Sequence, residues 1–199
     1  MRKYSVILLD VDGVLLKPPK FFSHSYAEER GFDKERFDKF FAQYAEDVAK
    51  GKTDYRQLII ERNDVWEWDK SPDELLEKWF SYENHKEEKL IEIVKSAKEQ
   101  GLKVYLATDQ DKYRAKYLVE LFSDFLDGAY ISSTIKHHKK EPEFFKFVVS
   151  DLANKLPNLK AGEIIYFDDA QHNIDSAKKA GISAYLYKNP EQVKKYLTS

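Results

Sequence analysis

Cysteine is missing from this 199-residue chain, which removes disulfide frameworks, zinc ribbons and thiol catalysis together and fits a reducing compartment. An excess of charge of one sign is missing too: 33 Lys and Arg stand against 35 Asp and Glu, a formal net charge of −2. That balance gives no electrostatic reason to expect nucleic acid or an anionic membrane surface as a partner. Long apolar runs are also absent. The N-terminal stretch offers basic Arg2 and Lys3, but its apolar run stops at Asp10, too early for a secretory signal or a membrane span, so the expectation is a cytoplasmic protein with no membrane partner. No internal repeat or biased segment occurs, and a content of 42% hydrophobic and 15% aromatic residues excludes a disordered chain. The length suits one domain with at most a smaller appendage.

What is present is an alternation. Residues 4–9 form a continuous apolar run ending in Asp-Val-Asp-Gly, the pattern of a buried strand meeting a turn. Runs 102–107, 128–131, 164–167 and 182–186 resemble it. Helical spacing fills the intervals: Leu90, Ile91, Val94 and Ala97 before Gly101; Ala115, Leu118, Val119 and Phe122; Phe144, Phe145, Val148 and Val149 after Pro142; and a last helix ending before Gly181. Strand and helix in turn predict an α/β fold, a doubly wound parallel five-stranded sheet of Rossmann-like type, helices on both faces.

One stretch breaks the pattern. Residues 17–86 hold only helical patterns, with Phe37, Phe40, Phe41, Tyr44 and Val48 at helical spacing, whereas a crossover between parallel strands needs about a dozen residues. The reading is a small all-helical cap, 17–86, inserted after the first strand into a core made of 1–16 and 87–199. Lys17-Pro18-Pro19-Lys20 leads into it, the double proline acting as a semi-rigid strut, and residues 81–86 lead out.

Acidic residues gather where strands end. Asp10 and Asp12 follow the first strand, and at strand periodicity they point the same way, with Gly13 letting the chain turn beneath them. Asp168-Asp169 closes the fourth run. Either pair alone also reads as a turn or a helix cap. In a doubly wound sheet, however, ligands bind where the strand order reverses, and a first strand flanked by the second and fourth brings both pairs to one crevice. Carboxylates converging there require a cation, and with oxygen ligands and no thiol the fitting one is Mg²⁺. Thr108-Asp109 ends the second strand and offers a hydroxyl and backbone N–H groups to an anion. The segment Lys136-His137-His138-Lys139-Lys140 supplies positive charge; Lys136, Lys140, His137 and His138 are read as a solvated loop, imidazole being a poor match for Mg²⁺.

As an ordered set these features resemble the haloacid dehalogenase (HAD) superfamily, in its subgroup with a helical cap between the first and second motifs, which includes phosphatases and beta-phosphoglucomutase-like proteins. The residues that carry the resemblance are Asp10-Val11-Asp12-Gly13-Val14, Thr108 at a strand end, Lys139-Lys140-Glu141-Pro142 with Lys140 where the family has a proline, and Asp168-Asp169 followed by Asn173, Ser176-Ala177 and Gly181. Gly51-Lys52-Thr53 ahead of a helix is similar to a common cap segment. The resemblance implies Asp10 as nucleophile, Asp12 as general acid and base, and Lys139 beside them. It implies Thr108, the Asp109 amide and Lys139 on the phosphoryl oxygens, and Mg²⁺ held by Asp10, the Asp12 backbone carbonyl, Asp169 and Asp168. It further implies a hydrolase acting on a small phosphorylated metabolite, such as a sugar phosphate. The resemblance also implies that dehalogenation is not the reaction, since the family's dehalogenases lack an acid at the position of Asp12, a halide leaving without a proton.

Three alternatives stand beside this reading. A sugar phosphomutase shares the core, and a HAD-like binding protein would keep the fold without turnover. A receiver domain carries its acidic pair after the first strand and its phosphoacceptor Asp after the third, where this chain has Ser132-Ser133. Lys17, Lys20, Phe21, Phe22 and His24 are candidates for the cap entrance. The other aromatics, the tryptophans included, are expected in the cap's own core, and His172 is expected to face solvent. The oligomeric state is left open.

Overall fold

The computed structural model describes residues 3–198; Met1, Arg2 and Ser199, and so the basic Arg2 noted above, lie outside the described residues. Its sheet contains β1 (Val6–Leu9), β2 (Lys103–Thr108), β3 (Gly128–Ile131), β4 (Ile164–Asp168) and β5 (Ser183–Leu186), in the order β3-β2-β1-β4-β5 with every pairing parallel. Val6 sits opposite Lys103 on one side and Ile164 on the other. The order therefore reverses at β1, and the crevice beyond its carboxyl end opens between the ends of β2 and β4.

Five helices, α1 (Phe22–Arg30), α2 (Glu35–Ala49), α3 (Tyr55–Glu61), α4 (Asn63–Trp66) and α5 (Pro72–Tyr82), lie between β1 and α6 (Glu88–Glu99). The rest alternate with strands: α7 (Lys112–Leu121), the short α8 (Ser132–Ile135), α9 (Pro142–Lys155), α10 (Gln171–Lys179) and α11 (Pro190–Thr198). Among the described residues no helix is long and apolar enough to cross a membrane.

Alternate strand residues serve opposite faces. Ile7, Leu9, Leu106 and Phe167 pack with Leu90 and Val94 of α6, Leu118 of α7 and Val193 of α11. Val6, Leu8, Ala107 and Tyr166 pack with Phe144 and Val148 of α9 and Ile174 of α10. The near-continuous apolar character of these strands follows from burial on both sides. Val119, placed by spacing on the buried face of α7, is exposed instead. The face that α7 buries runs through Arg114, Ala115 and Leu118, and Val119, about 100° around the axis from Leu118, falls outside it.

The inserted helices have an apolar cluster of their own, with Phe22, Phe37, Phe40, Trp66, Leu75 and Trp79 at its centre. Phe37 and Trp66 meet edge to face at 4.9 Å. α5 starts at Pro72 behind a reciprocal Ser71–Glu74 capping box. It continues to Tyr82, the span its helical spacing predicts, and so overlaps the first two residues of the outgoing linker 81–86. The two linkers run side by side: the Lys17 N–H donates to His85 C=O at 2.7 Å and the Glu87 N–H to Leu15 C=O at 2.8 Å.

Candidate active site

β1 ends at Leu9, and the Asp10 N–H donates to Phe167 C=O at 3.1 Å, fixing Asp10 between the ends of β1 and β4. Of the adjacent lysines it is Lys139 that enters this crevice. Its Nζ lies 2.6 Å from Asp10 Oδ1 and 2.7 Å from Asp168 Oδ2, and only 3% of the residue is exposed. Lys140 stays outside, 3.6 Å from Glu46. Asp168 is wholly buried and accepts from Lys139, the Tyr166 hydroxyl, the Ala170 N–H at 2.7 Å and Asn173 Nδ2 at 3.1 Å. So many donors make Asp168 the fixed centre of the cluster, aligning Lys139 and the start of α10.

Burial pushes the Asp10 carboxyl up to about 7; Lys139 pulls it down and the neighbouring Asp168 adds to the rise. Lys139 is held above its ordinary range: burial opposes its charge, but Asp10 and Asp168 outweigh it. Asp169 is raised by partial burial and by Asp168.

Carboxylate oxygens of Asp10, Asp168 and Asp169 all lie within 4.8 Å of one another. Gly13 makes this possible. Its φ is +79°, and a Cβ added there would overlap the Asp169 carboxylate, so the turn after β1 is cut away where Asp169 stands. Three carboxylates, one lysine and no sulfur fit a hard divalent cation with oxygen ligands.

Asp12 takes other partners. Strand periodicity aligned it with Asp10, but the chain turns immediately after Asp10, the Val11 C=O accepting from the Leu15 and Leu16 N–H groups at 2.8 and 2.9 Å. Asp12 Oδ2 accepts from Gln110 Nε2 at 2.7 Å, and Oδ1 from Arg114 Nη2 at 2.6 Å. Arg114 also pairs with Glu83, whose other oxygen accepts the Phe22 N–H at 2.9 Å and so closes the N-terminus of α1.

Thr108 is buried at the end of β2. Asp109 Oδ1 accepts the Lys139 N–H at 3.0 Å, which ties the β2 loop to the lysine loop. Burial works against the Asp109 charge, yet the His138 ring and Lys139 hold its carboxyl below the usual range. The reading of His138 as solvated is therefore corrected: the ring is buried, 3.5 Å from Asp109, with Nε2 3.1 Å from Glu46 C=O. His137 and Lys136 keep to the outside, His137 beside Glu141 at 3.0 Å. Further seam contacts join Lys50 to Glu141 and the Ser132 hydroxyl to Ala49 C=O at 2.6 Å.

The family model for haloacid dehalogenase-like hydrolases matches residues 4–181. The chain belongs to this family. No curated protein matches the sequence. In fold, this HAD-like hydrolase is similar to a HAD family enzyme from Bacteroides thetaiotaomicron in complex with magnesium and inorganic phosphate, at 21% identity and TM-score 0.76 over 94% of this chain and 95% of that one. It is also similar to a HAD-hydrolase from Bacillus subtilis bound to magnesium (14%, TM-score 0.66, 98% and 99% covered). A protein assigned as a beta-phosphoglucomutase from Thermotoga maritima compares at 17% and TM-score 0.63, with 98% of each chain covered. At these identities the likeness carries the fold.

Between the α/β core of the hydrolase and its inserted helices lies a cavity of about 650 Å³. Asp12, Gln110 and Arg114 border it from the core, and Phe21, His24, Phe41 and Trp79 from the insert. Two of the proposed entrance residues, Phe21 and His24, therefore line it, His24 held to Asp38 at 2.9 Å. Phe22 instead packs inside the insert, Lys17 pairs with Glu87 at 3.4 Å and Lys20 with Glu28. His172 is exposed, as expected. The spacing argument passed over Gln110, Arg114 and Glu83. One signal was there: Arg114 stands four residues before Leu118, a charge on an apolar face, which calls for a buried partner.

Proposed function

We propose that this HAD-like hydrolase is a Mg²⁺-dependent phosphatase acting on a small phosphate monoester, with residues 17–86 as a cap over the crevice. The observation that carries the reading is Lys139 bridging Asp10 and Asp168 at 2.6 and 2.7 Å inside a buried carboxylate cluster. Asp10 attacks phosphorus in line; the bond to the leaving oxygen breaks, and that oxygen takes its electron pair and a proton from Asp12. Water then attacks the aspartyl-phosphate and gives a proton to Asp12, releasing inorganic phosphate and regenerating the Asp10 carboxylate. Thr108, the Asp109 amide and Lys139 bind the phosphoryl oxygens, Lys139 balancing the charge that accumulates there. Mg²⁺ held by Asp10, Asp169, the Asp12 carbonyl and, directly or through water, Asp168 would shield the nucleophile from the phosphate dianion. The likeness to a fold solved with magnesium and inorganic phosphate supports this reading.

Phosphate release from para-nitrophenyl phosphate and a phosphate-monoester panel, with Mg²⁺ or chelator, tests it in wild type and Asp10→Asn. Mg²⁺-dependent release that vanishes in the variant is expected. Isomerisation of a sugar phosphate without release would make the chain a mutase, and silence throughout would favour an unsampled substrate or a HAD fold kept without turnover.

A further inference from the structure

We infer that the leaving group is an uncharged aromatic or arylalkyl alcohol, and that a monoester bearing a second anion is rejected; this deepens the phosphatase reading and rests on it. The cavity begins at Asp12, the group assigned to protonate the leaving oxygen, while neither Asp10 nor Lys139 borders it. With Asp109 also at its border, the cavity opens outward from the phosphoryl position and takes the leaving group. A volume of about 650 Å³ holds far more than a short alkyl chain.

Its walls are aromatic. Phe21, Phe41, Tyr55 and Trp79 line it, and Phe21 is left 61% exposed at its edge. Covering such rings with an apolar group removes their surface from water, and a flat ring adds face or edge contacts. The charges at the border are mainly negative: Asp12, Asp109 and Asp111 from the core, Asp38, Glu46 and Glu83 from the cap. The basic side chains there already have protein partners, with Arg114 Nε alone left over and buried. Arg114 gives its Nη atoms to Asp12 and Glu83, His138 sits between Asp109 and Glu46 C=O, and His24 meets Asp38. A second phosphate or carboxylate entering would lose water and meet carboxylates.

A polyol fares poorly for another reason. The acceptors nearest the reaction are taken, Asp12 by Gln110 and Arg114, Glu83 by the Phe22 N–H and Arg114. Hydroxyls held against the rings would pair poorly, since the unpartnered donors of the lining, Trp79 Nε1 and Arg114 Nε, are themselves buried. The same charge pattern opposes mutase chemistry, which has to retain a bisphosphorylated intermediate.

The test compares monoesters of primary alcohols, so that leaving-group basicity stays similar: 2-phenylethyl phosphate, glucose 6-phosphate and fructose 1,6-bisphosphate, with the small reactive acetyl phosphate as reference. With Mg²⁺, kcat/KM for 2-phenylethyl phosphate is expected to exceed that for glucose 6-phosphate by about tenfold or more, with the bisphosphate slowest. Phe41→Leu and Phe21→Ala should each lower that ratio, and because Phe21 is exposed its replacement leaves the cap core intact. If acetyl phosphate is hydrolysed through Asp10 but glucose 6-phosphate or the bisphosphate is preferred, the inference fails and the phosphatase reading stands. If acetyl phosphate is not hydrolysed either, both fail.

Discussion

Arg114 and Glu83 form a buried ion pair across the seam between the α/β core and the inserted helices. The same guanidinium reaches Asp12 at 2.6 Å, and the same carboxylate accepts the first N–H of α1. One side chain of α7 thus connects the proposed acid–base residue to the framework of the cap.

Arg114→Ala leaves Glu83 buried without its cation, a loss of about 3–5 kcal/mol. Urea unfolding checks this. The double variant Arg114→Met/Glu83→Leu should lose less than the two single substitutions summed, since removing both charges leaves neither stranded. Activity is expected to fall in the variants that lack Arg114, because Asp12 loses one of the two donors that fix its carboxylate.

Gly13→Ala places a methyl group on the Asp169 carboxylate at a backbone angle that disfavours any side chain. The conformational part alone is worth about 1–2 kcal/mol. Thermal unfolding with and without Mg²⁺ should show a lower melting temperature and a smaller rise on adding the ion, because Asp169 can no longer stand where it does.

Lys139→Ala should reduce turnover by about a hundredfold or more, since it removes the charge that bridges Asp10 and Asp168. Lys140→Ala, at a half-exposed site beside Glu46, should change kcat/KM little. Equal losses in the two variants would contradict the role given to Lys139.

Mg²⁺ binding is expected to strengthen as pH rises through about 7, because the metal needs the Asp10 carboxylate and burial keeps a proton on it below that value. The metal-free protein should respond with the opposite sign. The folded state binds the Asp10 proton more tightly than the unfolded chain does, so this group's contribution to stability is full below about 4 and is lost as pH climbs to about 7. Melting temperatures with Mg²⁺ and with chelator, taken from pH 5 to 8, should therefore diverge upward.

Much of this was legible in the chain, because the signals are local. Strands buried on both faces show as continuous apolar runs, and helices show as apolar residues three or four apart. With acidic pairs at two strand ends, that alternation carried the parallel sheet and the crevice beside β1 where Asp10 and Asp169 stand, while Lys139 was singled out by the family resemblance alone. Tertiary structure decided what periodicity does not encode. The turn after Asp10 sent Asp12 away from the line of β1 towards Gln110 and Arg114, 98 and 102 residues along the chain. His138 read as a solvated loop residue until α2 packs beside it, and Glu83 carried no signal until Arg114 meets it. Each is a polar group whose burial depends on a partner distant in sequence, so the local pattern holds no trace of the pairing and only the folded chain supplies it.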